Sequence, residues 1–376
     1  MDFILIIGIF EALTLAFLVF FKRNRNVSDS ILASFFLLFA INITLIIIET
    51  YNRNNSYPFP AFINTTAPFI LLHGPVLWFY IYSQTKQNFK IKPVYFIHLL
   101  PFVAMIIDHA VQFYFLPVEE KIYIATTEIF KEYFTYPLWV FMITLSPLIY
   151  FSWGIRMLNQ YNKRIKYFLS QTEHFDFKWL KQLLYIITII YCLVNLSFII
   201  DVIFPLASFN VLQYSAFILA SLFILFMGIY GRRQSNLFKS KVIKVNLSEV
   251  SVNGEKGILE KEDKDFIIKL QNYMNTEKPY LNPDITLANL SEQLKVSAEY
   301  LSEILNKKLN KKFFDFINYY RIEEFKNQLQ LEKNKKLTLT GIAMNSGFNS
   351  KATFNRVFKT HTHITPSQYK LSVSEK

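Results

Sequence analysis

The chain has 376 residues, of which 52% are hydrophobic and only 18% are charged. This composition is too apolar for an ordinary pair of soluble domains. The charge is uneven, because 25 of the 40 Lys and Arg lie from Arg232 onward, with 16 of the 28 Asp and Glu. A basic tail on a nearly neutral, apolar body predicts a polyanionic partner for the tail. The single cysteine, Cys192, excludes an intrachain disulfide.

The amino-terminal stretch from Phe3 to Phe21 is apolar apart from Glu11 and Thr14. At about 1.5 Å per residue, a helix of this length nearly crosses a hydrocarbon layer of about 30 Å. The basic residues follow the apolar stretch instead of preceding it, so we predict a retained first span and not a signal peptide. Six further spans are predicted at 30–48, 66–85, 94–115, 134–155, 183–203 and 211–230.

The predicted connections between spans form two sets that differ in charge. Three alternate connections carry twelve Lys and Arg, whereas the other three carry three, together with several Glu. Because Lys and Arg concentrate on the cytoplasmic side of a membrane, we predict that the amino terminus lies outside. Seven spans then place the carboxyl-terminal tail in the cytoplasm. The expected location is a bacterial inner membrane, crossed several times.

Two polar residues, Glu11 and His73, fall deep within predicted spans. An ionised group at the middle of a bilayer costs roughly 2.5–3.5 kcal/mol, so such residues usually face the interior of a helix bundle. One interpretation is a signal-binding cavity or an interhelical pair, and the other is neutral packing with local hydrogen bonds. We treat both residues as a candidate intramembrane site for an unidentified small-molecule, lipid or membrane-protein signal.

After the last span, residues 232–262 are predicted to form a juxtamembrane linker, in which 241–247 alternate too briefly to establish β pairing. An amphipathic helix is predicted from Asp263 to Asn275. A first helix-turn-helix unit follows at 286–308, with Thr286 and Ser297 capping its two helices. Phe313 to Leu331 then form a long connecting helix with an apolar stripe.

The outward positions of the first unit are predicted to be Glu299, Ser302 and Glu303. Carboxylates repel phosphates unless one accepts a hydrogen bond from a cytosine amino group. Reading of bases by this unit and a purely positioning role both stay open.

The second helix-turn-helix unit is predicted at 338–361. Thr338 caps its first helix, a Gly-containing turn follows, and Asn349 or Ser350 caps its second helix. At about 100° per residue, the apolar Phe354, Val357 and Phe358 share one face of that second helix. The opposite face carries the predicted DNA-contacting residues Lys351, Ala352, Asn355, Arg356 and Lys359. Arg suits guanine and Asn suits adenine in the major groove.

The pattern from about Lys278 onward resembles the AraC/XylS family of transcription regulators. The resemblance covers roughly the last quarter of the chain and depends on these positions: Ile342, Ala343, Gly347, Phe348, Phe354, Arg356, Phe358, Lys359, Thr365, Pro366, Ser367 and Tyr369. It implies two helix-turn-helix units that enter successive major grooves of double-stranded DNA. Gly341 departs from the family pattern at the start of a helix, and His363 replaces the glycine that usually ends the recognition helix.

The sequence contains no HExxH, GxGxxG or P-loop motif and no Cys/His pair at metal spacing, so we predict neither an enzyme nor a cofactor or metal site. The predicted fold is all-α: a seven-helix transmembrane bundle (1–231), the linker (232–262) and a cytoplasmic DNA-binding domain (263–376). The predicted function is a membrane-integral, one-component transcription regulator, for which a homodimer is one fitting arrangement. The alternatives are a transporter-like or enzymatic membrane domain with an autoregulatory DNA-binding tail, and a bundle that is only an anchor.

Overall fold

A computed structural model of the chain describes residues 2–86, 89–173, 175, 177–204, 209–233, 260–334 and 336–374. Within these ranges the chain is helical, and its extended pairing is confined to one isolated antiparallel bridge between Leu169 and Thr286. The fold class predicted from the sequence, all-α with apolar helices followed by a helix-turn-helix region, is confirmed. The predicted β pairing at 241–247 lies outside the described residues.

Fifteen α-helices lie within the described ranges. In chain order they are α1 (Asp2–Phe20), α2 (Val27–Asn54), α3 (Thr66–Thr85), α4 (Leu100–His109), α5 (Val118–Thr127), α6 (Tyr136–Ile165), α7 (Lys178–Ile203), α8 (Phe209–Arg233), α9 (Glu260–Thr276), α10 (Leu287–Leu294), α11 (Ala298–Glu303), α12 (Phe313–Gln330), α13 (Leu339–Asn345), α14 (Lys351–Thr362) and α15 (Pro366–Ser374).

Six described helical stretches are long and apolar enough to cross a membrane. They are Phe3–Phe20, Val27–Asn54, Pro93–Tyr114, Tyr136–Ile165, Lys178–Ser197 and Val211–Ile229. The third predicted span, 66–85, is present as the helix α3 but is not among the six. Its centre carries His73, Gly74 and Pro75 in succession, which lowers its hydropathy.

The fourth predicted span, 94–115, is not one uniform helix. A 3₁₀ turn at Pro93–Leu99 leads into α4, and a π-helical turn at Ala110–Tyr114 follows it. Pro101 lies in the first turn of α4, where a backbone N–H would have no partner within the helix, so its missing N–H costs no hydrogen bond. The short helix α5 in the next connection was not predicted.

The chain divides into two compact units: Met1–Asn159 with Phe177–Val242, and Gln160–Asp176 with Ile243–Lys376. In the first unit, a buried apolar cluster draws on α1, α2, α3, α6, α7 and α8, with Phe35, Tyr80 and Phe151 almost fully buried. Small residues bring α1 close to α8. A Cβ added to Gly8 would lie 2.6 Å from the Ser221 Cβ, so this contact requires glycine.

In the second unit, the long helix α12 connects two pairs of short helices, α10 with α11 and α13 with α14. Ile322 and Phe325 of α12 pack into the core of the second pair, and each is 0% exposed. Four predicted N-caps are confirmed, since Thr286, Ser297, Thr338 and Ser350 each accept a backbone N–H of the helix they precede. The sequence left two candidates for the cap of α14, Asn349 and Ser350, and the structure has Ser350.

Candidate nucleic-acid interface

The second helix pair has the backbone of a helix-turn-helix. The Thr338 hydroxyl accepts the Gly341 N–H at 3.0 Å, which starts α13. Gly347 then adopts φ +91°, a conformation that L side chains rarely take. The Ser350 hydroxyl accepts the Thr353 N–H at 3.3 Å and starts α14. These local hydrogen bonds fix where both helices begin, and so they fix the direction in which α14 points.

The inner face of α14 is locked by aromatic packing. Phe354 and Phe358 are 1% and 0% exposed. Their rings lie 4.6 Å and 5.4 Å from the ring of Phe325 on the connecting helix α12. Val357 is only half-buried and packs at the edge of the same cluster. Because Phe354 and Phe358 anchor one face, the opposite face of α14 is held outward.

That outward face carries the five residues predicted to contact DNA. Each is exposed: Lys351, Ala352, Asn355, Arg356 and Lys359. The guanidinium carbon of Arg356 lies 5.9 Å from the ring centre of Phe314, at the start of α12. The face therefore offers three cations and one amide, which can bind phosphates and hydrogen-bond to base edges in a major groove.

The first helix pair differs from its prediction at one position. Glu299 and Glu303 are exposed as expected, and Glu303 forms an ion pair with Lys307 at 2.8 Å. The expectation that Ser302 faces outward is wrong, because it is 2% exposed and its hydroxyl accepts a hydrogen bond from Asn306. On the helical wheel Ser302 stands roughly 60° from the buried Leu305, so the buried arc extends over it.

One buried cation joins the parts of the second unit. Arg321 of α12 is 0% exposed, and its guanidinium donates to the backbone carbonyls of Tyr280 at 2.8 Å and Asn282 at 2.9 Å. Burial lowers the pKa of Arg321 to about 9, so the group keeps its charge at neutral pH. Gly347 packs against the same group, because a Cβ there would lie 3.0 Å from the Arg321 Nε. Arg321 thus ties the helix-turn-helix turn to the segment before α10.

A sequence model of the family described as a helix-turn-helix domain matches residues 290–372. These residues form an AraC-type helix-turn-helix domain.

Relatives of the AraC-type domain include uncharacterised HTH-type transcriptional regulators of Staphylococcus aureus strains COL and MSSA476. Each is 38% identical over 91 residues, which is 24% of this chain but only 12% of the relative. A solved structure, of a protein of unknown function from Listeria innocua, aligns with 31% identity over 28% of this chain and 93% of its own, with a TM-score of 0.24. The similarity to the regulators is thus confined to the AraC-type part.

The helix α14 ends at a residue in a left-handed conformation. His363 has φ +63° and its N–H donates to the Lys359 carbonyl at 2.9 Å. The helix therefore ends as the usual family glycine would end it, although histidine carries a Cβ. A non-glycine residue in this conformation costs roughly 1 kcal/mol.

We therefore expect His363→Gly to stabilise the second helix-turn-helix by about 1 kcal/mol. Amide hydrogen exchange of α14, measured on the full chain in lipid nanodiscs, should slow by about fivefold. Thr360→Gly, at a right-handed position within α14, is the control and should speed exchange, because glycine weakens a helix interior. Faster exchange in His363→Gly would contradict the strain argument.

The two candidate signal residues lie in the first unit but are not brought together at one site. His73 lines a cavity of about 820 Å³, while Glu11 is absent from its lining. Glu11 is 6% exposed and lies against α8, where its carboxylate fills the space that a Gly228 Cβ would take. His73 is 3% exposed, stacks on Phe39 at 4.3 Å and shares a hydrogen bond of 2.5 Å with the Tyr191 hydroxyl.

Sequence reasoning missed two features of the second unit. Arg321 was placed on the connecting helix without a role, although its spacing of four residues from both Ile317 and Phe325 puts it in the packing stripe. The connection between α6 and α7 was treated as a loop that carries charge. Part of it, residues 168–172, is buried within the second unit, and nothing in its local pattern indicated this.

Proposed function

We propose that this protein is a membrane-integral, sequence-specific DNA-binding transcription regulator. One observation carries the proposal: the exposed face of α14, with Lys351, Asn355, Arg356 and Lys359 held outward by the buried Phe354 and Phe358. This is the helix that an AraC-type domain presents to the major groove. The relatives from Staphylococcus aureus are named HTH-type transcriptional regulators, which supports the same function for this part of the chain.

Binding to DNA is tested by selection from a random duplex pool. The full chain in lipid nanodiscs should enrich a defined sequence, and the affinity should fall with salt because Lys and Arg displace counterions from phosphates. A chain that enriches no sequence and binds all duplexes equally would contradict sequence-specific binding. Mapping the enriched sequence to the genome would then point to the regulated genes.

Membrane integration is supported by the six long apolar helices and by exposed apolar side chains along them, such as Phe3, Phe141 and Ile189. An apolar surface of this kind suits contact with lipid. The imbalance of Lys and Arg between alternate connections supports an amino terminus outside and an AraC-type domain in the cytoplasm. The proposed location is a bacterial inner membrane.

Reporter fusions test this topology. An enzyme that is active only in the cytoplasm should be active when fused after Lys244, and silent when fused between Glu119 and Glu132. A fusion after Lys163, in the most basic connection, should also be active. The reverse pattern would mean that the number of spans differs by one, and that α3 is the helix to reconsider.

The cavity of the first unit supports a sensing role. Its lining is largely apolar, with a polar cluster in which the Asp108 carboxylate accepts hydrogen bonds from Trp139 at 2.8 Å and Thr135 at 3.2 Å. The Nε2 atom of His73 is buried without a hydrogen-bond partner among the described residues. Cavities of 300–1,000 Å³ with a few fixed polar groups are typical of small-molecule sites. His73 is therefore proposed as a signal-site residue, whereas Glu11 is proposed to act in α1–α8 packing.

The same cavity also suits a transporter-like domain with an autoregulatory DNA-binding tail, which is the second candidate. The two functions differ in whether solute crosses the membrane. If reconstituted vesicles move no solute while His73→Phe changes transcription from the target promoter, sensing is supported. Measurable flux that His73→Phe abolishes would support transport.

A further inference from the structure

The connection between α6 and α7 belongs to the same compact unit as the AraC-type domain. We call the first part of this connection, Lys166–Thr172, the strap. From Phe168 to Thr172 every residue is at most 7% exposed, although the strap forms no helix there. A charged loop between two apolar helices would be expected to lie in water. The strap is instead held by buried contacts.

The strap backbone bonds to the first turns of two helices. The Phe168 carbonyl accepts the N–H of Leu287, the first residue of α10, at 2.9 Å. The Lys166 carbonyl accepts the N–H of Phe314, the second residue of α12, at 3.0 Å. Directly after Phe168, Leu169 faces Thr286 across the antiparallel bridge. Both helices therefore have a first-turn amide occupied by the strap.

Strap side chains extend the contact to the second helix-turn-helix. The Ser170 hydroxyl donates to the Ile285 carbonyl at 2.7 Å, and the Asn318 amide donates to the Ser170 carbonyl at 3.2 Å. The Gln171 amide donates to the Gly347 carbonyl at 3.3 Å, in the turn before the recognition helix. One short segment thus contacts both helix-turn-helix units and the helix that connects them.

Some of these contacts use groups of the kind that bind the DNA backbone in helix-turn-helix proteins. In helix-turn-helix proteins the first helix crosses the DNA backbone, and amides at helix N-termini are among the groups that bond to phosphates. The strap carbonyl of Phe168 already occupies such an amide at α10. In addition, the Lys166 ammonium lies 5.5 Å from the Phe314 ring, and Arg356 lies 5.9 Å from the same ring. The start of the strap and Arg356 of α14 therefore approach the same aromatic ring.

We propose that the strap is an autoinhibitory segment, which blocks the DNA backbone from the AraC-type domain until it detaches from α10 and α12. The inference rests on the proposed DNA-binding function and names how that function is regulated. The strap is continuous with α6 before it and α7 after it, so a shift of either helix would pull on its buried contacts. A ligand that binds more tightly to the shifted helices would then favour the state with the strap detached, and so would permit DNA binding.

A reversible crosslink tests the strap on the full chain in lipid nanodiscs. Leu169→Cys and Thr286→Cys are combined with Cys192→Ser, which removes the native thiol. Facing residues of an antiparallel pair have Cα atoms about 4.5–5.5 Å apart, within the range that a disulfide spans. Oxidation should lower the affinity for the selected duplex at least tenfold, and dithiothreitol should restore it. Thr286→Cys with Cys192→Ser alone controls for the lost helix cap.

A release variant provides the opposite test. Leu169→Asp places a carboxylate where the side chain is buried, so it should free the strap and raise DNA affinity about tenfold. Lys163→Ala, at an exposed position before the strap, should change the DNA affinity little.

If the crosslink does not form, or if it forms with no loss of affinity, the strap is not autoinhibitory. A loss of affinity in Leu169→Asp would also overturn the proposal, because the strap would then support binding. If neither the reduced chain nor Leu169→Asp selects any duplex, the proposed function fails first.

Discussion

Replacing Arg356 with alanine should weaken binding to the cognate duplex by about 10- to 100-fold and relax the preference at one base pair. Arg356 is exposed on the outward face of α14, and its guanidinium offers two parallel donors that match guanine in the major groove. Such a bidentate contact is worth about 1–3 kcal/mol of discrimination between bases. Titrations on matched and base-substituted duplexes would measure the loss.

Two further variants separate base reading from charge. Arg356→Lys keeps the positive charge but not the planar fork, so it should preserve the salt dependence while losing the base preference. Lys359 lies nearer the end of the helix, so Lys359→Ala should weaken binding to all DNA sequences alike. It should also flatten the slope of the logarithm of the binding constant against the logarithm of salt concentration by about 0.9. If Arg356→Ala lowered affinity equally on every duplex, Arg356 would be a phosphate contact and not a base reader.

Replacing Gly347 with valine should unfold the second helix-turn-helix. Gly347 has φ +91°, and a Cβ there would lie 2.2 Å from the Tyr280 carbonyl oxygen. That oxygen also accepts the Arg321 Nε at 2.8 Å, so relieving the clash would break a bond of the buried guanidinium. Left-handed strain and an unsatisfied buried donor together should cost about 3–5 kcal/mol.

Limited proteolysis of the full chain in nanodiscs would report this unfolding, since the sites around α13 and α14 should become cleavable while the first unit stays protected. DNA binding should be lost in parallel. Gly341→Ala is the matched control, because Gly341 is helical and a Cβ there would meet only the Thr338 hydroxyl, at 3.3 Å. That control should stabilise the domain by about 0.5 kcal/mol. Protease resistance in Gly347→Val would show that the turn can relax without its glycine.

The features that the sequence predicted well are those set by neighbouring residues. The caps at Thr286, Ser297 and Thr338 depend on one hydroxyl and an amide three residues later, so the pattern alone locates them. The outward face of α14 was predicted equally well, because Phe354 and Phe358 repeat at helical spacing. Most of the candidate interface could thus be derived without coordinates.

The features that were missed depend on contacts between distant residues. The Gln171 amide meets the Gly347 carbonyl 176 positions later, and no local pattern encodes that pairing. Ser302 was assigned outward from its own helix, but the packing around α11 buries a wider arc than its apolar residues suggest. The glycine turn was predicted, yet the clash that makes Gly347 irreplaceable comes from Tyr280, which lies outside the helix pair α13 and α14.

The strap is joined to the chain at both ends, and this changes the competition with DNA. A segment that is covalently linked near its docking position acts at an effective concentration on the order of 1 mM, whatever the number of copies in the cell. A strap with an intrinsic dissociation constant of only about 0.1 mM would then be docked about ten times as often as it is free. Its contacts can therefore stay weak enough for a modest helix movement to undo, and DNA affinity would change by the same factor of about ten.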